Sequence, residues 1–146
     1  MTIEFEACSG HWLSQQELPR PQEWGAIENP VERLSSGLAD LYRFYRAGEQ
    51  MPALVIRDAH SVPEPIREAR AERTRQYVEV LADAWPEARD PVLRAVIGHA
   101  AAFSSWRPLC REQGLTDGEA VQVMGTLTEA VGAGPEIRGR SEAPGP

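Results

Sequence analysis

Lysine is missing from this chain and cysteine is scarce: all 15 basic residues are arginine, and the 2 cysteines, Cys8 and Cys110, lie far apart. With no Cys-x-x-Cys pair, neither a zinc knuckle nor a dithiol redox centre is indicated, and reduced, buried thiols are expected. Long apolar runs are absent, which excludes an ordinary membrane-spanning helix. Strict apolar–polar alternation is nowhere sustained, so no strand is expected, and no segment repeats. The opening Met1-Thr2-Ile3-Glu4-Phe5-Glu6 carries acids where a secretory leader carries bases, and a cytoplasmic protein is expected.

Positive charge is short as well. A formal net charge of -7 argues against a grip on a phosphate backbone, which rests on neutralisation by Lys and Arg. The densest basic group, Arg67, Arg70, Arg73 and Arg75, is interleaved with Glu64, Glu68, Glu72 and Glu79, leaving little net field. Catalytic signatures are also missing: no Gly-x-Gly-x-x-Gly, phosphate loop, Gly-x-Ser-x-Gly elbow or His-Glu-x-x-His is present. The three histidines, His11, His60 and His99, sit on separate segments without ligand spacing, so no metal or cofactor is expected. A thiol–imidazole pair of Cys110 and His99 would have to bridge an expected helix break.

What is present is helical. With 42% hydrophobic and 25% charged residues, 146 residues can bury one core without staples, so the expectation is an all-α bundle of about six helices. Residues 1–132 form its single domain, and the Gly-, Pro- and charge-rich 133–146 form a disordered tail. A first helix over 3–18 ends at Leu18-Pro19-Arg20-Pro21, and 22–27 is a loop or single turn pinned by Trp24. Asn29-Pro30-x-Glu32 is a capping signal that opens a helix to about Arg46, with Leu34, Leu38, Leu41, Tyr42 and Tyr45 as its apolar stripe. A short helix follows over 49–59, then one from near Val62 to about Ala84. Asp90-Pro91 opens the next, running at least to Phe103, and Pro108 predicts a break between Phe103 and Arg111. Gln113-Gly114-Leu115 reads as a glycine stop, and Thr116 with Glu119 as a capping box for the last helix, whose buried face is Ala120, Val121, Met124, Leu127 and Val131.

Two features do not fit a simple bundle. The helix from Pro91 carries two apolar stripes, one of Leu93, Ile97, Ala100 and Ser104, the other of Val92, Val96, His99, Phe103, Trp106 and Cys110. Such a helix needs two partners: the monomer core, and for the first stripe a second subunit, with Val121, Met124 and Leu127 completing the seam. A central helix wholly inside one monomer is the alternative. The second feature is Arg73 on the apolar face of the preceding helix, with Arg70 at its edge. A guanidinium there reaches water, pairs with an acid such as Asp58, or faces a ligand. A pocket lined by Tyr42, Tyr45, Met51, Tyr77, His99, Phe103 and Trp106, anchored by Arg73, is the ligand reading; plain core packing is the other.

These segments also carry a resemblance. Phe5-x-Ala-Cys-Ser-Gly-His-Trp12, Pro30-x-Glu-Arg-Leu34 with Leu38 and Leu41-Tyr42, Val55-Ile-Arg-Asp-Ala59, Phe103-Ser-Ser-Trp-Arg-x-Leu109, and Gln113-Gly-Leu-Thr-Asp117 with Glu119-Ala120 together resemble the effector-binding half of TetR-family transcriptional regulators. The likeness runs from about Phe5 to Val131. It implies a non-enzymatic helical domain that forms a homodimer through its last long helices, encloses a small organic effector, and signals through its first helix to a DNA-binding head. Too few residues precede Cys8 for a three-helix head, so DNA contact is expected only through a helix-turn-helix not present in this chain. Pro108 also departs from the family pattern. Two alternatives stay open: a headless protein that heterodimerises with a full-length regulator, and, more remotely, a small helical enzyme.

Overall fold

The computed structural model describes residues 18–48 and 63–133. Among them 79% are helical and none is in a strand, so the chain is an all-α bundle. The helices expected over 3–18 and 49–59 and the tail 133–146 lie outside the described residues, apart from Leu18, which is not helical, and the end of the last helix.

Pro21 begins a five-residue helix, α1 (Pro21–Gly25), at the place where a loop or single turn pinned by Trp24 was expected. The pin is literal: Trp24 is buried and donates its indole N–H to Asp40, 3.0 Å away. Helix α2 (Pro30–Ala47) starts as its capping signal dictates, the Asn29 side chain accepting from the Glu32 amide at 3.0 Å. Its stripe of Leu34, Leu38, Leu41 and Tyr42 is fully buried.

Helix α3 (Glu64–Asp83) buries Leu81 and Ala82 near its C-terminal end, with Tyr77, Val78 and Val80 packed beside them. Residues 64–76 are exposed but for Ile66 and Arg70, which are half-buried. Where α2 crosses α3, a side chain at Gly37 would collide with Leu81 and press on Trp24 at 3.3 Å, so the close approach requires glycine.

Helix α4 (Pro91–Ala101) opens with Asp90 capping the Val92 amide at 2.9 Å. It stops earlier than the sequence predicts. Ala102 is extended (φ -78, ψ 142) and separates α4 from α5 (Phe103–Arg107). Pro108, the expected breaker, instead keeps helical dihedrals and begins a wide π turn, Pro108–Glu112, closed by a Gln113 N–H to Pro108 carbonyl bond of 2.9 Å. The wider turn accommodates a ring that would strike a carbonyl in a regular α-helix. Gly114 (φ 77) reverses the chain in the left-handed region. Thr116 and Glu119 then close a reciprocal capping box at 3.0 and 3.1 Å in front of α6 (Asp117–Ala133).

Helix α6 packs on α2 and α4, α4 on α3, and α1 on α2 and α3, around one core. Of the expected α6 face, Ala120 and Met124 are buried, Val121 and Val131 are half-buried, and Leu127 is 53% exposed. The burial that Leu127 lacks falls one residue on, at Thr128, whose hydroxyl bonds back to the Met124 carbonyl at 2.8 Å and so enters the core satisfied.

Candidate functional site

The break at Ala102 governs the chemistry of the bundle. A helix end leaves carbonyls without intrahelical donors, and here two tyrosines of α2, three residues apart on one face, supply them. Tyr42 donates its hydroxyl to the Ala100 carbonyl at 2.6 Å, and Tyr45 to the Ala101 carbonyl at 2.5 Å. Burial raises both phenols well above the usual tyrosine range; Tyr45 adds to the effect on Tyr42, and Tyr77 to that on Tyr45. Both therefore act as neutral donors.

Around them the rings form a packed cluster. Tyr45 meets Phe103 edge-on at 5.5 Å and Trp106 at 6.3 Å, while Phe103 and Trp106 lie 5.7 Å apart. Below it stands a polar hub. Asp117 accepts from Arg46 (2.8 to 3.1 Å over three contacts) and from the indole N–H of the buried Trp106 (2.9 Å). Partial burial pushes the Asp117 carboxyl up, but the bonds from Arg46 and Trp106 outweigh it and hold the group below its ordinary value. Arg46 and Arg111 also lie over the Trp106 ring, at 5.4 and 5.9 Å.

Cys110 rests against this hub, 3.7 Å from Asp117 and 3.9 Å from the Thr116 carbonyl. Burial and the Asp117 charge push its thiol up, so it stays protonated. His99 contacts a different partner, the Ser105 hydroxyl, at 3.2 and 3.3 Å. The thiol–imidazole pair considered from sequence is therefore not assembled.

The expected ligand pocket is brought together only in part. Tyr42, Tyr45, Phe103 and Trp106 meet, Tyr77 neighbours Tyr45, and Arg73 stands close enough to Tyr77 to lower a phenol that burial raises. Tyr42 and Trp106, however, have no exposed surface. His99 is exposed and lines a groove with Pro91, Val92, Ala95 and Val96 instead. Met51 is outside the described residues.

The expected subunit seam is corrected more sharply. Leu93, Ile97 and Ala100 have no exposed surface, and Met124 is 7% exposed: these residues are the monomer's own core, with Val121 half-buried beside them. Of the seam, only Leu127 is open to solvent. The free apolar face of α4 is the opposite one. There Pro91, Val92, Ala95, Val96 and His99 line an open, almost wholly apolar groove of about 420 Å³. On α6, Val123 and Leu127 are exposed one turn apart.

A second arginine, buried, went unrecognised in the sequence. Arg33 is 8% exposed and donates to three carbonyls, Ile27 at 2.8 Å, Val80 at 2.9 Å and Gly25 at 3.0 Å, tying α1, α2 and α3 together. Its place between Glu32 and Leu34 on the buried side of α2 was the available signal. Arg73 is exposed.

Among the described residues no helix is long and apolar enough to cross a membrane, and no three His, Cys, Asp or Glu side chains converge as metal ligands. The chain matches no family model, no curated protein and no solved structure.

Proposed function

We propose that this chain is the effector-responsive, dimerising domain of a TetR-like transcriptional regulator, working in the cytoplasm as a homodimer. The observation that carries the reading is the double apolarity of α4. One face fills the core, and the opposite face presents Pro91, Val92, Ala95 and Val96 to solvent with no charged side chain among them. A helix apolar on both sides is stable in water when both sides are covered. A twofold axis lets the same face serve both subunits.

The sensing half of the reading rests on the aromatic cluster at the α4–α5 break. A small organic effector acts there by favouring one arrangement of the Tyr42 and Tyr45 bonds over another, since only differential binding shifts a population. The test of the dimer is the mass of the full chain by light scattering, alone and as Val96→Arg. A wild-type dimer that the substitution converts to a folded monomer supports the reading; a wild-type monomer, or a dimer indifferent to Val96→Arg, refutes it.

A further inference from the structure

The groove on the outer side of α4 ends in a residue that can change its charge. Pro91, Val92, Ala95, Val96 and His99 stand at positions i, i+1, i+4, i+5 and i+8, so they form one stripe along the helix, about 12 Å long at ~1.5 Å of rise per residue. Among the described residues that lining holds no carboxylate and no guanidinium. The His99 ring is seated from the next helix: the Ser105 hydroxyl of α5 lies 3.2 and 3.3 Å from its two nitrogens, and Ser105 itself is buried. A hydroxyl donates to a bare ring nitrogen or accepts from a protonated one, so the imidazole keeps its place in either charge state. The charged and titratable groups of the neighbouring elements are engaged elsewhere. Arg94 of α4 pairs with Glu79 of α3 and donates to the Ala88 carbonyl at 2.8 Å. At Gly98, beside His99, α3 presents the apolar Val78. Tyr42 and Tyr45 of α2 donate to the Ala100 and Ala101 carbonyls, Cys110 lies against Asp117 of α6, and Arg107 of α5 is exposed and outside the groove lining.

We propose, with the homodimer reading above as premise, that His99 gates the subunit contact by pH: a neutral imidazole admits the second α4, and an imidazolium excludes it. Packed helix axes lie about 8 to 10 Å apart, so a second helix lying along so short a stripe covers its histidine end together with its valines. Histidine is the side chain that changes charge between about pH 5 and 8. Burying its cation on apolar surface without a carboxylate is unfavourable, and twofold symmetry brings in two such cations at once. Each imidazole that must lose its proton to enter the contact should weaken association roughly 10-fold between about pH 7.5 and about pH 5.5, and the two copies about 100-fold. The direction is opposite to that of overall charge. Two chains of formal net charge -7 repel each other less as pH falls, which by itself tightens association.

The experiment is sedimentation equilibrium of the full chain at about pH 7.5 and about pH 5.5 at fixed ionic strength, for the wild type and His99→Gln, with circular dichroism of the same samples. Glutamine keeps a hydrogen-bonding group for Ser105 and takes up no proton. The wild-type dimer should loosen about 100-fold in acid with its helical signal intact, and His99→Gln should hold nearly the same dissociation constant at both values. His11 and His60 are the other histidines of the chain, and His11→Gln and His60→Gln should each retain the full loss. A wild-type dimer as tight or tighter in acid, loosening that comes only with loss of helix, or a His99→Gln dimer that loosens as the wild type does overturns the gate and leaves the homodimer reading standing. A wild-type monomer at about pH 7.5 removes the homodimer reading, and the gate with it.

Discussion

The two faces of α4 are made of nearly the same residues and live in different worlds. Leu93, Ile97 and Ala100 on one side are wholly buried; Val92, Ala95 and Val96 on the other are exposed or half-exposed around an open groove. Composition does not separate them, so it is geometry that decides which face a monomer can use. The inner face is the one that meets α2, α3 and α6 once Asp90 has capped the helix and Ala102 has ended it. The outer face is left over, and it is there that the proposed subunit contact is placed.

The largest expected effect that sharpens this contrast is on the inner face. Leu93→Ala should cost about 3 kcal/mol of unfolding free energy through lost burial and a residual cavity, whereas Val92→Ala on the outer face should change monomer stability by no more than ~0.5 kcal/mol. Urea denaturation of both variants checks the pair.

Next comes Gly37→Ala, at the α2–α3 crossing. Alanine is the better helix former by roughly 1 kcal/mol, yet its methyl would collide with Leu81 and Trp24. Overpacking should win, with a net loss of about 1 to 2 kcal/mol. A stabilised variant would show that the crossing has room to spare.

A smaller effect is tied to pH. Asp117 is held below its ordinary value in the fold and returns to it on unfolding, so in acid the unfolded chain binds more protons. The stabilisation from this carboxylate is complete at neutral pH. It is lost as pH falls from the ordinary aspartate value through the lower folded one. Asp117→Asn keeps an acceptor for Trp106 and removes the charge, so it should flatten that part of the stability–pH curve measured by thermal unfolding.

The smallest is Tyr45→Phe. It leaves the Ala101 carbonyl without its 2.5 Å donor and should cost about 1 kcal/mol. Amide exchange on either side of Ala102 should quicken in this variant and remain unchanged on α1.

What was legible in the sequence follows the same divide between local and distant causes. Asn29-Pro30-x-Glu32, Asp90-Pro91, Thr116-x-x-Glu119 and Gly114 act within one turn, and each is found doing what its residues dictate. The break at Ala102 was not legible, because its carbonyls are satisfied by tyrosines on a different helix, and nothing near an alanine announces that. Arg33 was missed for the same reason: one of its three acceptors is a carbonyl 47 residues away. The doubled apolarity of α4 was visible. Which stripe faces inward was not, because that depends on which side of α4 meets α2, α3 and α6. The candidate site shares this pattern: the aromatic residues were recognised one by one, but their division between a sealed cluster and an exposed rim was set by tertiary packing.

The most direct test of the outer face is an isotope-filtered NOE experiment on a sample mixed from labelled and unlabelled chains. The account predicts cross-chain contacts from the methyl groups of Val92, Ala95 and Val96. Cross-chain contacts from Leu93 and Ile97 instead, or none from any residue of α4, would contradict it.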